Sequence, residues 1–238
     1  MNGNGMRCSD PLVRSAETSP WQRPGFWLLL AALAAVATFG IRGADLTIAN
    51  AVRQWSDAHP DSVWHAAAFW FSQSGTLVIY PLAALVVLVS AWWFRPNYRV
   101  WRACLWLLAA EGLNGLVGLA IKLGIGRWRP NQPLAGTFEW FHSFSAKCQS
   151  FPSGHTADVA AVATVLWFAW PRVRPLCVLW VVLMAAARIG VMRHFLSDTA
   201  VGAAVGMACA LVLQPRMDRI ERWIETRFAL RPQEDAAG

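Results

Sequence analysis

The stretch Arg188-Ile-Gly-Val-Met-Arg-His194-Phe-Leu-Ser-Asp198 joins two long apolar blocks and holds three side chains that can carry chemistry. If His194 opens a helix, Asp198 lies one turn further along the same face, within reach of the imidazole ring. Arg188 precedes the histidine by six residues, which is about 240° round a continuous helix. We therefore expect the helix of Arg188 to end near Gly190, with a short turn that returns the arginine to the histidine. On its own, the pattern also fits a histidine that only caps or packs a helix.

The composition of the chain is that of a membrane protein. Of its 238 residues, 56% are hydrophobic and 15% are charged, whereas soluble domains average about 25% charged residues. We predict an all-α polytopic protein, with six transmembrane helices forming a bundle over residues 24–214. The predicted spans are 24–41, 76–94, 103–121, 155–170, 175–192 and 197–214. Although the net charge is +7, the basic residues flank apolar blocks singly, so we expect no nucleic-acid partner.

The distribution of lysine and arginine predicts the orientation of these spans. Six spans place 13 of the basic residues on the side of the two termini and 8 on the other side. By the positive-inside rule, both termini are expected in the cytoplasm. Residues 1–23 are predicted to be a disordered cytoplasmic tail and residues 215–238 a basic cytoplasmic tail. Residues 42–75 are then an external loop, whose tryptophans predict a helix lying in the membrane interface.

Three polar segments meet the external membrane face in this arrangement. The first is Lys122-x6-Arg129-Pro130 after the third span, and the second is Pro152-Ser153-Gly154-His155 before the fourth. With Arg188, the cations Lys122 and Arg129 can neutralise a phosphate dianion and the charge that develops on it. Ser153 is a plausible N-cap, and free N–H groups at a helix N-terminus bind anions. These segments therefore predict a phosphate site.

Two histidines at such a site allow a division of labour. One can attack phosphorus to give a phosphohistidine, while the other protonates the leaving oxygen and then activates water. The residues alone do not decide between His155 and His194 as the nucleophile. The external loops hold no carboxylate cluster for magnesium and no two-metal arrangement, and no cysteine spacing suits zinc. We predict a metal-free reaction without a cofactor.

Together the three segments resemble the signature of the phosphatidic acid phosphatase type 2 superfamily, which includes lipid phosphatases, soluble acid phosphatases and vanadium haloperoxidases. The resemblance implies that His194 is the nucleophile, Asp198 its partner and His155 the acid. It further implies a set of phosphate-binding residues, namely Lys122, Arg129, Ser153, Gly154 and Arg188. Ala187 departs from the family, which usually has serine there, and this implies the loss of one supporting hydrogen bond.

The expected protein is a lipid phosphatase of a bacterial inner membrane, with its site facing the periplasm. Its substrate would be a lipid phosphate monoester or pyrophosphate, such as undecaprenyl pyrophosphate, phosphatidylglycerophosphate, phosphatidic acid or a lipid A phosphate. One alternative is a transporter or binding protein that uses the basic site only for headgroups. That protein needs a polar path through the spans, for which Glu111, Asn114 and Asp158 are available. Haloperoxidase chemistry through bound vanadate is a third interpretation. The sequence does not indicate the oligomeric state.

The roles of several polar residues have two interpretations each. Arg127 and Arg193 either strengthen the field or hold a second phosphate, or else face lipid headgroups. For Asp158 we favour a hydrogen bond within the helix bundle over orientation of His155, and for Glu111 a structural role. The other histidines, His59, His65 and His142, are expected at the surface or in the interface.

Overall fold

The computed structural model describes residues 24–73, 79–93, 98–141 and 145–228, and most of these are helical. Each predicted span contains a helix. The helices are α1 Pro24–Phe39, α2 Asp45–Ala58, α3 Val63–Gln73, α4 Ile79–Trp93, α5 Tyr98–Gly124, α6 Gly154–Ala169, α7 Arg174–Gly190 and α8 Leu196–Phe228. The predicted tail 1–23 lies outside the described residues, as does the end of the predicted C-terminal tail.

Four helical segments in the described part of the chain are long and apolar enough to cross a membrane. They are Gly25–Ala58, Val100–Gly124, Pro171–Gly190 and Leu196–Met217. Helices α4 and α6, in the predicted second and fourth spans, have 15 and 16 residues, fewer than the ~20 that a perpendicular span needs. The chain is thus a helical membrane protein, while the count of six spans stays a prediction.

The segment predicted as the first external loop is largely helical. Helix α1 continues through a π-helical turn, Gly40–Ala44, directly into α2. At the kink, Gly43 has φ 145°, a conformation that residues with a Cβ rarely adopt. Helix α3 follows and exposes Trp64 and Trp70, as an interfacial helix would, so its place in the interface remains a prediction.

Helices α6 and α8 pack closely against each other. Gly202 and Gly206 lie one turn apart on α8 and face the α6 backbone, where a Cβ on Gly206 would overlap the carbonyl oxygen of Ala157. Small residues at this spacing let two helices approach closely in a membrane. The close approach fixes the N-terminus of α6 against the first turns of α8.

The mostly helical fold agrees with the predicted class, and a short hairpin lies between α5 and α6. Strand β1 (Ile125–Arg127) pairs antiparallel with β2 (Phe138–Trp140), and Arg127 also bridges to Gln149. Strands of three residues are too short to show alternating hydrophobicity, which is the signal that predicts strands. The hairpin returns the chain to the end of α5, where the Phe141 N–H donates to the Gly124 carbonyl at 3.1 Å.

The last helix is longer than the predicted sixth span. Helix α8 passes through Pro215 and ends at Phe228, so the helix continues beyond residue 214, the predicted end of the sixth span. Residues 215–228 of the predicted cytoplasmic tail are therefore helical, and their place in the cytoplasm stays a prediction.

Candidate active site

The turn between α7 and α8 returns the chain from Arg188 to His194. The N–H groups of Arg193 and His194 both donate to the carbonyl oxygen of Arg188, at 3.2 and 3.3 Å. Within the turn Met192 has φ 57°, in the left-handed region. The predicted end of the arginine helix at Gly190, followed by a return turn, is confirmed.

His194 is buried and its ring is fixed by a backbone carbonyl. Its Nδ1 donates to the carbonyl oxygen of Ser150 at 2.6 Å, whereas the nearest Asp198 oxygen lies 3.9 Å from that nitrogen. A carbonyl can only accept, so Nδ1 carries the proton and Nε2 carries the lone pair. No described residue hydrogen-bonds Nε2. Asp198 was expected to bond directly to the ring, but the Ser150 carbonyl makes that bond instead. The sequence analysis did not identify Ser150.

Asp198 supports the histidine through its neighbours. Its carboxylate accepts from the Ser150 hydroxyl at 2.6 Å and from the Phe195 N–H at 2.8 Å. The second bond closes the first turn of α8, as a carboxylate at the third helical position does in a capping box. Asp198 thus fixes both Ser150, which holds the ring, and the start of the helix that follows the histidine.

Arg127 is the hub of a buried ion-pair network. Its guanidinium contacts Asp198 at 2.6 Å and Asp45 at 2.8 Å, and all three side chains are at most 3% exposed. It also donates to the Ser197 hydroxyl at 2.7 Å and stacks 4.1 Å from the centre of the Phe195 ring. The interpretations of Arg127 as a second phosphate site or a headgroup contact are therefore wrong. Arg127 has a structural role, because it pairs with the Asp198 carboxylate next to the histidine.

Asp45 was missed by the sequence analysis. It begins α2, and one carboxylate oxygen also accepts the Ser197 N–H at 3.0 Å. An acidic residue in the first turn of a helix was visible, but its partners are 82 and 152 residues away in sequence. Nothing in a single sequence joins positions that far apart.

The N-terminus of α6 forms the floor of the site. Ser153 takes the predicted N-cap position, and its N–H donates to the Asp198 carbonyl at 3.0 Å. Its hydroxyl pairs with Thr156 at 3.0 Å and makes no capping bond to the backbone. The first-turn N–H groups keep no helical partner, which suits them to an anion. A Cβ on Gly154 would lie 3.2 Å from the ammonium of Lys122, so the glycine gives the lysine room.

The three predicted cations are near enough to both histidines for their charges to act on them. Burial lowers the pKa of His194 well below its usual value, and the charges of Arg188, Arg129 and Lys122 lower it further, against the raising effect of the Ser150 carbonyl. The same three charges act on His155, at the second position of α6. Burial and the nearby charge of Arg193 also lower the pKa of Arg129, which Asp198 opposes. In the described part of the chain, the buried Nε atoms of Arg129 and Arg188 have no hydrogen-bond partner. An anion bound here would offset this charge.

Below the site the helices carry polar groups. Asn114 of α5 donates to Asp158 of α6 at 2.7 Å, which confirms the bundle hydrogen bond favoured for Asp158. Glu111 is 1% exposed, and neither carboxylate oxygen has a hydrogen-bond partner among the described residues.

Two of the remaining histidines are among the described residues. His59 is exposed and bonds to the carbonyl oxygen of Trp55, and His65 is half-exposed and lies 3.4 Å from the Ser56 hydroxyl, while His142 is outside the described residues. Across residues 24–73, 79–93, 98–141 and 145–228, no group of three or more His, Cys, Asp or Glu side chains could hold a metal ion.

Fold and site define a helical membrane protein with a buried histidine at a basic anion pocket. The family model of the PAP2 superfamily matches residues 99–221, more than half of the chain. The chain belongs to the PAP2 superfamily, which is the superfamily its three motifs resemble.

Individual relatives are similar over part or most of the chain. A lipid A 1-phosphatase of Rhizobium etli is 31% identical over 103 residues, which are 42% of this chain and 44% of that relative. The alignment therefore spans less than half of the curated relative. The crystal structure of LpxE from Aquifex aeolicus, 25% identical, has a TM-score of 0.52 and covers 70% of this chain and 93% of that one. A PAP2 type phosphatidylglycerolphosphate phosphatase from Bacillus subtilis shares the fold at 20% identity, with a TM-score of 0.55 and coverage of 83% and 96%.

Proposed function

We propose that this protein is a membrane phosphatase that hydrolyses a lipid phosphate through a phosphohistidine on His194. The observation that carries the proposal is the state of that ring. Nδ1 is held by the Ser150 carbonyl, and the depressed pKa keeps the ring neutral. Nε2 therefore keeps its lone pair for attack, in a pocket where three cations can hold the phosphate.

The first step transfers the phosphoryl group to the enzyme. The lone pair of His194 Nε2 forms a bond to phosphorus while the bond between phosphorus and the lipid oxygen breaks. His155 becomes protonated when the bound phosphate dianion offsets the charges of the three cations, and it gives its proton to that leaving oxygen. Lys122, Arg129 and Arg188 stabilise the equatorial oxygens, together with the free N–H groups at the start of α6.

The second step releases phosphate. His155, now neutral, takes a proton from water as the water oxygen attacks phosphorus. The bond between phosphorus and Nε2 breaks and its electron pair returns to the ring. His155 ends protonated and His194 neutral, so the enzyme is ready for the next substrate. No metal enters either step, because the protein's own cations meet the charge.

The substrate proposed for this site is a lipid phosphate monoester or pyrophosphate. The similarity to a lipid A 1-phosphatase and the fold shared with a phosphatidylglycerolphosphate phosphatase support a phosphate on a membrane lipid. Lys122 at the end of α5 and Arg188 at the end of α7 are near enough to His155 at the start of α6 for their charges to act on it. These three helix ends therefore lie at one end of the bundle, where a bilayer presents headgroups. We assign this end to the periplasmic face of a bacterial inner membrane, since the basic connections predict the opposite end to be cytoplasmic.

The experiment that tests this function is phosphate release by the purified protein in detergent with excess EDTA. The substrates are phosphatidic acid, phosphatidylglycerophosphate, undecaprenyl pyrophosphate and a lipid A carrying the anomeric phosphate. We expect release from at least one lipid in EDTA, and none from His194→Ala. Lipid binding by both proteins without any release would favour the transporter or binding protein, and release that EDTA abolishes would contradict the metal-free steps.

A further inference from the structure

A cleft lined mainly by polar residues lies next in sequence to the phosphate-pocket residues Arg129 and His194. Its volume is about 400 Å³, within the range of about 300–1,000 Å³ typical of small-molecule sites. One wall comes from α2, the other from the chain after Arg129-Pro130 and from the turn before His194. It is lined by Arg53, Ser56, Asp57, Asn131, Gln132, Pro133 and Met192.

The position of the cleft ties it to the phosphate. Asn131 and Gln132 follow the phosphate-binding Arg129 within three residues, and Met192 precedes the nucleophile by two. A group covalently joined to a phosphate held at Arg129 and His194 therefore has this cleft within reach.

Contacts at two points along α2 hold this wall of the cleft in place. At its start Asp45 is buried against Arg127 and Ser197. Further along, the guanidinium of Arg53 donates to the Pro130 carbonyl. The lining residues Arg53, Ser56 and Asp57 are spaced i, i+3 and i+4, so they share one face of the helix.

The chemistry of the lining differs from that of the phosphate pocket. The pocket gathers cations, whereas the cleft balances one guanidinium with one carboxylate and adds a hydroxyl and two amides. A second phosphate would meet the like charge of Asp57. Hydroxyl groups, which both donate and accept, match a lining of mixed donors and acceptors.

We propose that this cleft binds a hydroxyl-bearing sugar or glycerol unit of the substrate, the unit to which the scissile phosphate is attached. This inference rests on the proposed function for the link to the phosphate. It narrows the substrate class to phosphorylated glycolipids and glycerolipids with free hydroxyls. A bare polyprenyl phosphate or pyrophosphate gains nothing from the cleft.

The test measures lipid binding in the His194→Ala background, where no substrate is consumed. The probes are a monoacyl glucosamine with an anomeric phosphate, lysophosphatidic acid, dodecyl phosphate and dodecyl pyrophosphate. Asp57→Ala is expected to raise the Kd of the first two about fivefold to tenfold, the size of a lost hydrogen bond. The Kd of dodecyl phosphate should not change. Asp61→Ala, which removes an exposed carboxylate at the turn after α2, is the matched control.

The outcomes separate this proposal from the proposed function. An equal effect of Asp57→Ala on the Kd of all probes, or no effect on any, would overturn the proposal that the cleft binds hydroxyl groups. Tightest binding of dodecyl pyrophosphate, tightened further by Asp57→Ala, would overturn it in favour of a second phosphate. The sugar and glycerol probes tell the two hydroxyl sources apart. Selective loss of hydroxyl-bearing lipids supports the cleft even if wild-type protein releases no phosphate, in which case the proposed function alone fails.

Discussion

Arg127 and Asp198 form a buried ion pair of 2.6 Å between Nη1 and Oδ1, and the other Asp198 oxygen lies 3.9 Å from Nδ1 of His194. The other amino group of Arg127 contacts Asp45. One guanidinium thus joins the hairpin after α5, the start of α2 and the first turn of α8. The signature residues His194 and Asp198 are therefore supported by residues outside the signature.

Replacing Arg127 with glutamine should destabilise the protein strongly. The change leaves two buried carboxylates without their cation, and breaking a buried pair in this way costs about 3–5 kcal/mol. We expect a large drop in the thermal unfolding temperature of the purified protein in detergent. Arg172→Gln, at an exposed arginine before α7, is the control and should unfold like wild type. Equal unfolding temperatures for the two variants would contradict the structural role of Arg127.

Asp45→Asn should lower turnover with little change in substrate affinity. Asparagine keeps the size of the side chain but removes the charge that Arg127 and Ser197 meet, so the support of α8 weakens while the phosphate cations stay. We expect kcat to fall about tenfold, equivalent to ~1.4 kcal/mol, with KM nearly unchanged. Steady-state kinetics on the best lipid substrate measure both. A rise in KM at constant kcat would place Asp45 in substrate binding instead.

Gly206→Ala should disrupt the packing of α6 on α8. The added methyl group would overlap the Ala157 carbonyl, and overpacking of this kind costs about 1–3 kcal/mol. Because α6 carries His155 and the anion-binding N-terminus, activity should fall with stability. Gly112→Ala on α5 meets open space and is the control for a glycine change in a membrane helix. If both variants unfold at the wild-type temperature, the close approach of α8 to α6 at Gly206 is contradicted.

The rate should keep its acid limb at unusually low pH. Protonation of His194 removes the nucleophile, and burial followed by the charges of Arg188, Arg129 and Lys122 lowers its pKa well below the usual value of about 6.5. Wild-type activity should therefore persist as the pH falls through 6.5. Arg188→Gln removes one of these charges, so the pKa of His194 and the acid limb should both move upward.

The measurement is kcat/KM against pH for both enzymes on one lipid. The substrate's own ionisation, with a pKa of about 6, is the same for the two, so only the difference between the profiles reports on the enzyme. A bell shape is expected because His155 must be protonated in the first step. Identical acid limbs would show that Arg188 does not act on the nucleophile.

The sequence predicted the parts of this site that are local in the chain. The turn from Arg188 to His194 and the N-cap position of Ser153 follow from spacing and helix-end chemistry, which act within a few residues. The same local logic placed Asp198 beside the ring, but Ser150 lies between them. That correction, like the partnership of Arg127 with Asp45, depends on contacts between segments 44 to 152 residues apart.

The fold shows the same division. Apolar blocks located the helices, since burial in a bilayer demands long apolar runs. The hairpin was missed because three-residue strands carry no periodic signal, and α8 continues beyond the predicted end of the sixth span because its polar residues also form helix. For the loop 42–75 the aromatic residues predicted a single interfacial helix. The structure has two separate helices there, α2 and α3.

The most direct test of the central claim is to locate the covalent intermediate. The His155→Ala variant would react with p-nitrophenyl phosphate, whose leaving group needs no acid, and would then be quenched and mapped by mass spectrometry. Without His155 to activate water, we predict that a phosphoryl group accumulates on His194 and is absent when His194→Ala is added. A phosphoryl group on another residue, or continued turnover by the double variant, would contradict the account.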